Sequence, residues 1–159
     1  MAGTKTNTHT IGIAGVKVVK SPEKIRTVLG SCIGVALYDR VAKIGGMAHV
    51  MLPSSSLGKG DKGKFADTAV DWLLDDVLKA GADKKRVTAK ITGGASMFGT
   101  QVDSGIGDKN AKAVKDRLSH HSVRLAAEDI GGTKGRKMQL DPGTGQVEVQ
   151  VIGADPKVI

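Results

Sequence analysis

The chain carries a single cysteine, Cys32, in the stretch TVLGSCIG (27–34), and a histidine, His49, inside the apolar run GMAHVML (46–52). A thiol and an imidazole make a productive chemical pair. A free thiol has a pKa of about 8.5, so little of it is thiolate at neutral pH, and a neighbouring imidazolium lowers that value. Such a pair could attack an acyl carbon. The bend LGSC (29–32) would offer backbone N–H groups to the oxyanion that forms. A third group should hold the imidazole, and the hydroxyl of Thr27, just upstream, is of a suitable type. Taken singly, each residue is more often structural, because free cysteine is among the most buried residue types and packs as a small hydrophobe. The chemical reading therefore rests on the two side chains lying together.

That requirement points to the elements around them. IGVALY (33–38) and GMAHVML (46–52) are short apolar runs that read as strands, the second stopped by Pro53. A four-residue loop over 39–42, with Asp39 opening the turn, would join them as an antiparallel pair. In that register Tyr38 faces Lys43, Gly34 faces Met47 and Cys32 faces His49. Directly opposed residues have Cβ atoms about 4.5–5.5 Å apart, within reach of a thiol–imidazole contact. Ile33, Val35 and Leu37 would form the core face, while Gly34 and Ala36 would leave open space beside the thiol.

The rest of the chain supplies a scaffold. Strands are expected over 11–19, 25–30, 87–91 and 123–128, and a hairpin over 137–152 turns at DPGTG. A helix should carry Ala66, Ala69, Val70, Leu73, Leu74, Val77 and Leu78 on one face, with Gly81 just past its end. A second should begin near Asp108 and carry Ala111, Val114 and Leu118. The stretch 92–100 reads as a flexible loop. The pattern is α+β: a single-domain α/β sandwich with mixed or antiparallel β-sheets and two main flanking helices. Residues 1–10 read as a flexible N-terminal tail and 11–159 as one domain.

Composition narrows the function. The formal net charge is +8, from 24 basic and 16 acidic residues, which favours an acidic partner. Phe65, Phe98, Tyr38 and Trp72 are too few to build a base-stacking platform, so nucleic acid is not the expected partner. GKGDKGKF (58–65) nearly matches a phosphate-binding loop but has Phe65 where the magnesium-holding hydroxyl belongs, and GGTKGR (131–136) reads as a turn. His9, His49, His120 and His121 show no zinc-like spacing with the lone cysteine, so a metal site is not expected. There is no secretory apolar region and no stretch long enough to insert in a membrane; with one cysteine, a cytoplasmic protein is expected.

At these residues the sequence resembles the chemoreceptor glutamine deamidase family, CheD. The likeness is carried by TVLGSCIGVALYD (27–39), GGMAHVMLP (45–53), GKFADTAV (63–70), AKITGGASMFG (89–99) and AEDIGGTKGR (127–136), in that order. The resemblance implies a Cys-His-Thr hydrolase that converts glutamines in the cytoplasmic helices of chemotaxis receptors to glutamates and releases ammonia. Cys32 would be its nucleophile, His49 its general base, and Thr27 the hydroxyl that positions the histidine. It also implies the sandwich of deamidating toxins of the cytotoxic necrotizing type, a CheC-like phosphatase as partner, and neither a metal nor an organic cofactor. The basic loops 58–64 and 131–137 would then steer acidic receptor helices. The same residues leave open a transglutaminase, a protease, or a non-catalytic adaptor with an idle thiol.

Overall fold

The computed structural model describes residues 7–97 and 105–159. Its pivot is Ile33–Asp39, a strand buried at all seven positions. Burial on both faces requires a layer on each side, and the molecule supplies them. Among the described residues two five-stranded sheets stack on one another, and two α-helices cover the outer face of one of them.

In chain order the strands are β1 (Thr8–Thr10), β2 (Val16–Lys20), β3 (Lys24–Leu29), β4 (Ile33–Asp39) and β5 (Ile44–Val50). Helix α1 (Ala66–Lys79), β6 (Thr88–Gly93) and α2 (Ile106–His120) follow. Then come β7 (Arg124–Ile130), β8 (Arg136–Asp141), β9 (Gln146–Val151) and β10 (Lys157–Val158). One sheet runs β1-β3-β8-β9-β10 and the other β2-β5-β4-β6-β7. Both are mixed, because β1 pairs parallel with β3 and β6 pairs parallel with β7. Among the described residues the architecture is α+β with two α-helices and two mixed sheets, as the patterning indicates.

Two cores result. Ile33, Val35 and Leu37 of β4 pack with Leu73, Val77, Val114 and Leu118 beneath the helices. Ala36 and Tyr38, on the other face of β4, pack with Ile25, Leu29, Met138, Leu140, Val147 and Val149 between the sheets. Strand β3, in the other sheet, is covered on one face only: Ile25, Thr27 and Leu29 are buried while Arg26 and Val28 face out, the alternation of a half-covered strand. Between β3 and β4 the chain passes from the first sheet to the second in three residues, Gly30, Ser31 and Cys32.

Several expectations need correction. Thr8–Thr10, assigned to a loose tail, forms β1 alongside Lys24, Ile25 and Arg26; residues 1–6 lie outside the described residues. The strand expected from residue 11 starts at Val16. Of the loop expected over 92–100, Thr92 and Gly93 belong to β6, and 98–100 lie outside the described residues. The β4–β5 loop has four residues but occupies 40–43, so Tyr38 pairs with Gly45 and Gly34 with His49. Lys43 takes the left-handed conformation (φ 57°) that closes this turn.

Candidate active site

The corner between the two sheets brings the three residues singled out from the sequence to one end of the inter-sheet layer. Thr27 comes from β3 in one sheet and His49 from β5 in the other. Cys32 sits in the connection between the sheets and packs against the inter-sheet core. The expected direct opposition of Cys32 and His49 does not occur. His49 opposes Gly34, and Cys32 lies just before the first paired residue of β4, Ile33, which opposes Val50. The expected open space at Gly34 is also absent, because a Cβ there would overlap Met138 Sδ and press on Leu29.

Across the sandwich, Thr27 Oγ1 lies 2.7 Å from His49 Nδ1 and donates to Ile11 O at 2.8 Å. A hydroxyl has one proton, and a backbone carbonyl can only accept. With that proton given to Ile11 O, Thr27 accepts from His49 Nδ1–H. The ring is thereby fixed in the tautomer whose Nε2 carries a bare lone pair. The ring's backbone is fixed too: His49 N–H donates to Gly15 O at 3.1 Å, and His49 O accepts from Ala14 N–H at 2.9 Å. Thr27 is 1% exposed and His49 4%, so neither exchanges these partners for solvent.

Burial sets the charge state. It lowers the His49 pKa to about 4 and raises that of the half-buried Cys32 thiol. A thiolate–imidazolium pair is therefore not the resting state. At neutral pH the site holds a neutral thiol and a neutral imidazole, which suits proton transfer at the moment of attack.

The connection bearing Cys32 is held by its carbonyls. Gly30 O accepts from Ala95 N–H at 3.0 Å and Cys32 O from Gly94 N–H at 2.9 Å. Gly93, at φ 112°, makes this approach possible, since a Cβ there would overlap Cys32 O. Met97 lies over Gly30 and is 41% exposed, giving the corner an apolar rim. Ser31 O accepts from the side chain of Asn110, a residue the sequence reading missed. The signal was present: Asn110 falls among the buried positions Gly107, Ala111 and Val114 of α2, and a polar residue on the apolar face of a helix needs partners.

Not every basic residue of the loops is available to a partner. Arg136 is 3% exposed and spends its guanidinium on the carbonyls of Asp129, Gly131 and Lys134. Lys62 lies over the Trp72 ring, 4.2 Å from its centroid. Arg40, Lys84, Lys85, Arg86, Lys90 and Arg124 line a groove at the other end of β4. Among the described residues no cluster of His, Cys, Asp or Glu could hold a metal ion. Nor is any helix there long and apolar enough to cross a membrane.

Comparison with known proteins agrees over nearly the whole chain. Residues 51–151 match the family model described as CheD chemotactic sensory transduction. Thr27, Cys32 and His49 precede that match, but the full-length relatives span them. A probable chemoreceptor glutamine deamidase CheD of Clostridium botulinum is 48% identical over 155 residues, covering 94% of this chain and 96% of its own. One of the same name from Desulforamulus reducens is 43% identical, covering 94% and 93%. Among solved structures, the Bacillus licheniformis hypothetical protein YfiH is similar at a TM-score of 0.44 and 15% identity, over 74% of this chain and 49% of that one. On the family model and on relatives matched along almost their entire length, this chain belongs to the CheD family.

Proposed function

We propose that the chain is a chemoreceptor glutamine deamidase acting through Cys32, His49 and Thr27. The relatives' names support the reaction. The observation that carries the site is the Thr27–His49 contact, in which the hydroxyl proton is already committed to Ile11 O and His49 Nε2 is left as a base.

In this scheme Nε2 takes the thiol proton as the sulfur of Cys32 bonds to the side-chain carbonyl carbon of glutamine. The oxyanion rests on N–H groups of the 30–32 connection. Collapse breaks the carbon–nitrogen bond, and His49 returns its proton to the leaving ammonia. Water then attacks the thioester and gives a proton to Nε2. The carbon–sulfur bond breaks, the thiol is restored, and glutamate leaves. Thr27 holds the ring through both halves. No metal or organic cofactor takes part.

The substrate of this proposal is a glutamine on the cytoplasmic helices of a chemotaxis receptor, which places the protein in the cytoplasm. A CheC-like phosphatase as partner and the deamidating-toxin form of the sandwich belong to the same proposal, on the strength of the sequence resemblance. The raised thiol pKa is the observation that most favours the adaptor alternative. Product identity decides between them. Incubation with a receptor cytoplasmic fragment should add about one dalton per converted glutamine, with ammonia released. An added amine mass would show transamidation, a cut chain proteolysis, and an unchanged fragment an adaptor.

A further inference from the structure

Asn110 lies within α2 and is fully buried. Its Nδ2 donates to Ser31 O at 3.2 Å and to Met51 O at 2.9 Å. Both amide hydrogens are thus committed. The orientation follows, since the reversed amide would set its own oxygen against two carbonyls. Oδ1 has no partner among the described residues. An unpaired buried acceptor is a cost that an apolar side chain would avoid. Packing alone therefore does not explain an amide here.

Its two partners do. Ser31 directly precedes Cys32, and Met51 follows the end of β5, the strand carrying His49. We propose that Asn110 is a positioning residue for the deamidation assigned above, on which this inference rests: by fixing the Ser31 carbonyl it aims the Cys32 N–H at the oxyanion. In a planar trans peptide the carbonyl of one residue and the N–H of the next point in opposite directions. Drawing the Ser31 carbonyl toward α2 turns the Cys32 N–H away from the helix. The neighbouring carbonyls are held as well, Gly30 O by Ala95 N–H and Cys32 O by Gly94 N–H. The N–H groups of Gly30, Ser31 and Cys32 find no acceptor among the described residues. Three successive carbonyls are tied down, and the donors between them are left for an anion. Asn110 supplies the one tie that comes from a side chain and that also reaches the β5 arm.

The test compares the full chain with Asn110→Ala and Asn110→Leu, the second keeping the volume of the site filled. A receptor cytoplasmic fragment serves as substrate. The readouts are kcat, KM, the rate at which iodoacetamide alkylates Cys32, and the circular dichroism of each variant. Loss of one aimed oxyanion donor costs on the order of a hundredfold in rate. We expect that fall in kcat with KM within about threefold of wild type. Alkylation needs no oxyanion donor and should also stay within about threefold. The proposal is overturned if a folded variant keeps its kcat, if alkylation falls as far as kcat, or if neither variant folds. A wild-type chain that leaves glutamine unchanged instead sinks the deamidase reading, and this proposal with it.

Discussion

The two ends of β4 treat buried polar groups in opposite ways. At one end Asp39 is fully buried and saturated. It accepts from the N–H groups of Val41 (3.0 Å), Ala42 (3.1 Å) and Asp83 (2.9 Å) and from Arg86 Nε (3.0 Å). Burial works to raise its pKa, but Arg86 and the three backbone donors outweigh it and bring it down to about 2. At the other end, burial alone holds the Cys32 thiol and the His49 ring in their neutral forms. Asn110 Oδ1 and Ser96 Oγ there have no partners among the described residues. A network with every bond made has nothing left to offer a ligand and serves the fold. A network with bonds left open costs stability and is suited to chemistry.

That contrast can be broken by moving residues between the two behaviours. Among the residues around the nucleophile, the largest effect should come from His49→Ala. General-base catalysis contributes about 10²- to 10⁴-fold, so deamidation should fall about a thousandfold, with the fold retained by circular dichroism. Asp39→Ala should do the reverse. It strands three backbone donors and should cost about 3 kcal/mol, read as a fall in Tm of roughly 6–12 °C, with the turnover of the folded protein unchanged. A loss of turnover in folded Asp39→Ala would erase the distinction between the ends.

Acid sharpens the comparison next. The folded-state pKa of His49 is about 4 against an ordinary 6.5, so between those values the unfolded chain binds more protons and stability rises with pH. The contribution is complete above about pH 6.5 and disappears as pH falls through about 4. It amounts to roughly 3 kcal/mol. Urea titrations at pH 7 and pH 4 should show wild type losing that much more than His49→Leu, and equal losses would mean that the ring is not buried neutral. The smallest effect is expected from Thr27→Val, which keeps shape and removes the acceptor for Nδ1–H. A drop of about tenfold to thirtyfold in kcat corresponds to one lost buried hydrogen bond. An unchanged kcat would remove Thr27 from the site.

Much of this was legible in the residues, and what was missed has physical causes. Helix α1 was readable because Ala66, Ala69, Val70, Leu73, Leu74 and Val77 recur at helical spacing and do face the core. The β8–β9 hairpin was readable because Met138 and Leu140 pair with Val149 and Val147 around a turn of the right chemistry. The register of β4 and β5 was not. Asp39 does open the turn with its side chain, as expected, but its backbone still pairs with Ile44. Sliding a four-residue loop by one position moves every partner by two, which preserves the face and changes the neighbour. His49 therefore points into the expected layer while opposing Gly34 instead of Cys32. The short strands β1 and β10 carry too few residues to show a period. The ties on Ser31 and Cys32 come from α2 and the end of β6, and no local pattern announces contacts so distant in sequence.

The claim on which the account turns is that the sulfur of Cys32 is the attacking atom. Cys32→Ala, shown by circular dichroism to be folded, should leave a receptor cytoplasmic fragment at its starting mass under conditions in which wild type adds about one dalton per glutamine. Conversion of that fragment by Cys32→Ala at the wild-type rate would contradict it.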